Sequence, residues 1–217
     1  MKIAQSAARI GRIFARIPGT LPAALVALGS LATGAQAIPV LSAAGNLVVP
    51  NTTAGIYVNV VSAVSNVAPA SAPGWDINPF SSTALSFFNP TAPTGGVYAI
   101  SIAGQVANLP LGTVIGPATA YGSGAATTTA ATFPWVLNAT NYFGFRFIGD
   151  DTQLHYGWGT MIVGATLSTR TLGELWYENA PSTPITITAV PEASTVGMML
   201  AGLGVGALVL RRRRRAA

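Results

Sequence analysis

Apolar positions along this chain follow two different rules. Between about residue 55 and residue 189 they come in short runs, alternating with small or polar residues and broken by Gly, Pro, Asn and Asp. That is the pattern of strands and turns. It predicts strands over residues 55–62, 84–88, 97–103, 142–148, 153–163, 172–177 and 185–189. The clearest is 142–148, where Phe143, Phe145 and Phe147 alternate and so share one face. Gly149-Asp150-Asp151 is turn chemistry, and in the returning arm Leu154, Tyr156 and Trp158 share a face. A lone hairpin of this kind needs further strands to be stable, and residues 174–178 offer one. No long stretch shows helical spacing and no repeat of fixed period is present, which counts against a solenoid or propeller. The expected fold is all-β: a two-layer antiparallel β-sandwich, jelly-roll or lectin-like, over residues 38–180. The Gly-, Ala- and Thr-rich residues 116–132 read as a flexible loop. Residues 181–189, rich in proline, read as a semi-rigid stalk.

Toward the two ends the apolar residues become continuous instead. Residues 1–37 read as a signal peptide. Lys2, Arg9, Arg12 and Arg16 precede an apolar core over 21–31, and Ala35-Gln36-Ala37 supplies the small-x-small pattern, with Ala35 and Ala37 at the cleavage site of signal peptidase. At the other end an apolar stretch over residues 195–210, opened by Thr195 and closed by Leu210, is followed by Arg211, Arg212, Arg213, Arg214 and Arg215. Sixteen residues make roughly 24 Å of helix, just under a bilayer core, so a transmembrane helix is expected. The arginine cluster is expected to act as a cytoplasmic stop, with side chains that snorkel to the interface.

Charge refines this picture. The chain carries a formal net charge of +5, but its basic residues gather at the ends. Over residues 38–189 only Arg146 and Arg170 oppose Asp76, Asp150, Asp151, Glu174 and Glu178, a net of −3. This stretch has no electrostatic footprint for phosphate, and nucleic acid is excluded as a partner. Cysteine is absent, which removes thiol nucleophiles, zinc–thiolate sites and iron–sulfur clusters.

The segment Val190-Pro191-Glu192-Ala193-Ser194, then the apolar stretch, then five arginines, resembles the PEP-CTERM sorting signal of Gram-negative bacteria. Ala193 stands where that family usually carries proline. The resemblance covers residues 190–215 of a sorting tail spanning 190–217, and implies an exosortase-type processing enzyme as partner, with Val190, Pro191 and Glu192 as recognition residues rather than catalytic ones. It further implies passage through the inner membrane on the C-terminal helix, then residence at the cell surface or in the extracellular matrix. Gly74-Trp75-Asp76, Phe87-Phe88-Asn89-Pro90, residues 142–147 and His155-Tyr156-Gly157-Trp158 also resemble an ectodomain common among proteins bearing this signal. That likeness implies export and no particular chemistry.

Candidate chemistry within residues 38–180 is sparse. His155 is the single histidine, and a hydrolase triad would have to pair it with Asp150 or Asp151 and a distant serine, yet no G-x-S-x-G surrounds any serine. Asp150 with Asp151, or Asp76 with Asn78, supplies too few oxygens for calcium and reads better as solvated turn residues. No catalytic residue, metal site or cofactor is therefore assigned. Trp75 and Trp135 are candidates for stacking on sugar rings, Trp75 because it sits in a Pro-Gly-Trp-Asp-Ile-Asn-Pro loop. The reading is a non-catalytic exported protein, structural or adhesive. The alternative is a carbohydrate-binding module for exopolysaccharide, with a secreted hydrolase third.

Overall fold

The computed structural model describes residues 39–189. The signal-peptide residues Ala35 and Ala37, the sorting residues Val190, Pro191 and Glu192, the apolar stretch 195–210 and the arginine cluster lie outside the described residues.

In chain order the strands are β1 (Pro39–Leu41), β2 (Leu47–Val48), β3 (Tyr57–Val58), β4 (Ser65–Asn66), β5 (Asn78–Phe80), β6 (Ser86–Phe88), β7 (Tyr98–Ile102) and β8 (Gly104–Val106). They continue as β9 (Val114–Ile115), β10 (Tyr121–Gly122), β11 (Gly124–Ala125), β12 (Ala139–Ile148), β13 (Leu154–Val163), β14 (Arg170–Glu178) and β15 (Ile185–Thr186). The described residues are all-β: their one helical turn is a 3₁₀ turn at Pro69–Ser71, and none of their helices is long and apolar enough to cross a membrane.

The long hairpin organises everything else. β12 and β13 pair without interruption from Ala139↔Val163 to Ile148↔Leu154. The turn between them closes through Gly149 N–H to the Gln153 carbonyl (2.9 Å). Asp151 Oδ1 accepts the Gln153 N–H at 2.9 Å, an Asx-type turn. Phe143, Phe145 and Phe147 face Gly159, Gly157 and His155 across the ladder. The aromatic rings use the space those glycines leave: a Cβ on Gly157 would lie 2.5 Å from the Phe145 ring, and one on Gly159 would lie 2.8 Å from Phe143.

One 11-stranded sheet runs in the order β1-β14-β13-β12-β7-β8-β11-β6-β5, with β2 on β14 and β10 on β7. It is antiparallel except for the β11–β8 pair. In a flat sheet β6 and β12 would be four strand spacings, roughly 19 Å, apart. Yet the rings of Phe87 and Phe143 are 5.4 Å apart, so the sheet curls and its inner face closes on itself. The two layers expected as a sandwich are opposite walls of this one sheet. Register shifts at Gly159/Met161 and Ile100/Ile102 add the local twist that such curvature needs. Arg170, buried at the start of β14, clasps the closure by donating to the carbonyls of Pro50, Ser81, Ala84 and Leu167.

A second apolar layer covers the outer face of the hairpin. Ile115, Ile185 and Ile187 pack with Tyr156 and Trp158, and Trp158 stacks on Trp176 with ring centroids 6.0 Å apart. Gly144 makes room for Ile115, whose Cδ1 lies 2.4 Å from where a Cβ would stand.

Two expectations change here. Residues 116–132 are not a free loop. β10 pairs with β7, and β11 bridges β6 and β8. Gly124, at φ 155°, passes so close to Gly104 that a Cβ would strike its backbone. Small residues make this segment an inserted thread, where their number had suggested freedom. Nor are residues 181–189 a stalk. β15 pairs with β9, and alternation turns Ile185 and Ile187 onto the same apolar cluster. Gly112 N–H donates to the Ile187 carbonyl and Ile187 N–H to Thr113, both at 2.9 Å. The chain is held to the domain as far as Ile187.

Candidate functional site

Three places carry the residues singled out in the sequence. The first is the tip of the hairpin. His155, 4% exposed, stacks on Phe147. The Glu178 carbonyl accepts a hydrogen bond from its Nδ1 at 2.8 Å. Its Nε2 faces both carboxylate oxygens of Asp151 at 3.1 Å. Both ring nitrogens face these partners, so neither is directed at a hydroxyl. The adjoining depression of about 210 Å³ is lined by Val61, Gly149, Asp150, Asp151, His155, Tyr177 and Asn179, with no serine or threonine among them. The Gln153 N–H, followed by His155, holds the Asp151 carboxyl below the ordinary carboxylate value. Asp150 and Asp151 therefore diverge in role: Asp151 closes the turn and fixes the imidazole, and Asp150 stays on the turn surface.

The second place is the loop around Asp76. Its buried carboxylate accepts the Val60 N–H at 2.7 Å. Burial raises its pKa to about 7 against the pull of that donor, with Asp150 adding to the rise. Asn78 donates from Nδ2 to the carbonyls of Ala54 and Ile56, each at 2.9 Å. Nearby, Asn59 donates to Pro73 and Gly74 and accepts from Val61 and Ser62. These amides and the carboxylate tie two loops together and are spent on backbone partners. Asp76 and Asn78 are therefore buried structural residues, where solvated turn residues were expected. Among the described residues no three His, Asp or Glu side chains converge as a metal site would require.

The third place is aromatic. Trp75 is half-buried, with Tyr57 edge-on at 4.9 Å and Phe88 stacked at 6.3 Å. Phe80 meets Phe88 edge-on at 6.3 Å. Phe88 is 54% exposed, so this strip presents aromatic surface to solvent. Tyr57, Phe80 and Phe88 were not singled out from the sequence, though the Phe87-Phe88 doublet held a signal: adjacent strand residues face opposite sides. Phe87 is in the core and Phe88 outside. Trp135, by contrast, cannot stack on a sugar. It is 2% exposed, packs on Phe87 and donates from Nε1 to the Val106 carbonyl at 2.7 Å. Its indole N–H found a backbone partner inside, and that let the core take the whole ring.

No curated protein and no solved structure matches this chain. A family model does: that of the PEP-CTERM protein-sorting motif matches residues 189–215, beginning two residues after the last buried isoleucine of the domain. The chain therefore carries a PEP-CTERM protein-sorting motif, the mark of an exported protein that crosses the membrane and is sorted by an exosortase.

Proposed function

We propose that this chain is a non-catalytic protein of the cell surface or extracellular polymer matrix of a Gram-negative bacterium, structural or adhesive in role and cleaved near Pro191 by its exosortase. The observation that carries the reading is the sorting motif, matched at residues 189–215 and joined almost directly to an all-β domain. The commitment of both His155 nitrogens to acceptors supports the non-catalytic part. Intact mass of the protein recovered from extracellular material tests the proposal. Loss of residues 1–37 and of the chain beyond about Pro191 is the expected result. Recovery with the arginine cluster attached would sink the cleavage, leaving a permanently anchored protein.

A second reading is favoured by the strip of Tyr57, Trp75 and Phe88: a lectin-like module that holds exopolysaccharide by stacking sugar faces on exposed rings. Titration with purified exopolysaccharide, followed by tryptophan fluorescence, checks it. Trp75→Ala is expected to weaken binding about five- to thirtyfold if one ring contributes a stacking energy of about 1–2 kcal/mol. Equal binding by both proteins rules this strip out.

A further inference from the structure

The domain has two unlike ends. The β12–β13 hairpin is ten residues long on each arm, so its ends stand about 30 Å apart. At the turn end lie Asp150, Asp151 and the Glu178 backbone that binds His155. At the opposite end, near Thr140, the rim around Leu111 and Val136 is largely apolar and carries no charged residue. Leu111, Val136 and Phe133 are each close to half exposed there, with Leu137 and Ile162 beside them. Leu111, Phe133 and Val136 border a shallow groove of about 510 Å³ whose lining contains no charged residue.

This apolar rim is built. Trp135 is anchored in the core between its exposed neighbours. Asn108 donates to the Pro134 carbonyl at 3.0 Å while accepting the Tyr142 N–H. Asn141, fully buried, both accepts from Val136 N–H and donates to its carbonyl. The buried Asn141 and the half-buried Asn108 thus hold the loop that presents Phe133 and Val136 outward. Exposed apolar surface of this kind in a fixed frame marks a contact site.

The chain leaves the domain at the same end. Residues 182–187 run along the outer face of β13, from the Leu154 carbonyl, which accepts the Ser182 N–H, to the Gly112–Thr113 backbone beside Leu111. Ala189 borders a second groove that shares Thr140 and Tyr142 with the first. Glu174, the one acid on that border, accepts the Trp176 indole N–H at 2.9 Å. From Ile187 to the apolar stretch opening at Thr195 is eight residues, at most about 29 Å when fully extended.

We propose that the apolar rim of Leu111, Phe133, Val136 and Leu137 is a lipid-contact surface that seats the domain on the bilayer while the C-terminal tail is in the membrane, with the acidic hairpin tip pointing away. The short tether turns this end of the domain toward the membrane. The uncharged rim suits the headgroup–acyl boundary. Bringing the charged Asp150 and Asp151 into the headgroup–acyl boundary would cost their hydration, so the opposite orientation is disfavoured. The inference rests on the exported, membrane-transiting reading of the tail and adds a second contact to it.

The chain has no cysteine, so single labels are site-specific. The full chain is reconstituted in vesicles of phosphatidylcholine and phosphatidylglycerol containing acyl-chain nitroxide lipids. Fluorophores are placed through Leu111→Cys, Val136→Cys, Gln153→Cys at the hairpin tip, and Ala201→Cys in the tail. Several-fold stronger quenching at 111 and 136 than at 153, with the tail label quenched, is the expected result. Val136→Asp in the Leu111→Cys protein should then reduce quenching at 111. A quenched tail with 111 and 136 as unquenched as 153 overturns the proposal and leaves the tail reading intact. An unquenched tail overturns both. Labels at 111 and 136 shielded from aqueous iodide yet beyond reach of the lipid quencher mean that a second copy, or the chain's own tail, covers the rim, and the proposal is wrong.

Discussion

At the residue scale, two buried polar side chains govern stability in different ways. The Asp76 carboxyl has a pKa raised from 3.8 to about 7, because burial penalises its charged form. An acid whose folded pKa lies above its unfolded one binds its proton more tightly when folded. Its stabilising contribution is therefore complete below about pH 4 and is lost as pH rises toward 7. The difference at neutral pH reaches at most about 4 kcal/mol. Asp76→Asn keeps an oxygen for the Val60 N–H and removes the titration. Urea denaturation across pH 4 to 8 should show wild-type stability falling relative to the variant, and parallel curves would refute the assignment. Asp151 works in the opposite sense: its lowered pKa favours the fold above the ordinary carboxylate value, and this is lost as pH falls through the folded pKa. Arg170 is the second case. Its guanidinium reaches four carbonyls on three loops, a geometry that a lysine ammonium cannot reproduce. Arg170→Lys is expected to cost about 2–3 kcal/mol in denaturant unfolding, because several half-buried carbonyls lose their charged donor. A change within experimental error would mean that water replaces it.

At the scale of elements, the hairpin depends on matching large residues with absent ones. Gly159→Ala places a methyl group against Phe143 and Leu175 and should destabilise by about 1–3 kcal/mol, as overpacking does. Adding Phe143→Leu should restore part of that loss, and simple additivity of the two changes would show that the contact is not the cause. β15 makes a separate prediction. Ile187 is 1% exposed and is the last buried side chain before the sorting motif. Ile187→Ser is expected to free the terminal segment, seen as faster proteolysis between residues 181 and 189 while β12–β14 remain protected. An unchanged cleavage pattern would mean that the β15–β9 backbone pairing suffices.

Considered as a whole molecule, the domain is a curled sheet whose inner face is packed with aromatic rings and whose outer hairpin face is sealed by the segment that leads to the tail. Truncation should expose this division. Ending the chain after Ala189 is expected to leave the thermal midpoint where it was, since every buried side chain among the described residues is retained. Ending it after Thr183 removes Ile185 and Ile187 and should lower the midpoint by several degrees. Equal midpoints would show that the outer layer contributes nothing to the fold. The exosortase cut proposed near Pro191 would fall on the safe side of that boundary and leave Ile185 and Ile187 in place.

What could be read from the sequence was whatever is written locally. Alternation at Phe143, Phe145 and Phe147 places them on one face, Gly149-Asp150-Asp151 makes the turn, and the order Pro-Glu, apolar stretch, arginine cluster marks the sorting tail. Each depends on neighbours within a few residues. Strands of two residues such as β10 and β11 have no local signature, because they exist only through partners brought alongside by the curl. Alternation also says which residues share a face without saying what covers it. Trp135 inside, Phe88 outside, the seating of Ile185 and Ile187 and the clasp of Arg170 were therefore decided by tertiary structure, where burial depends on which distant surfaces meet and on which backbone carbonyls are left needing a donor.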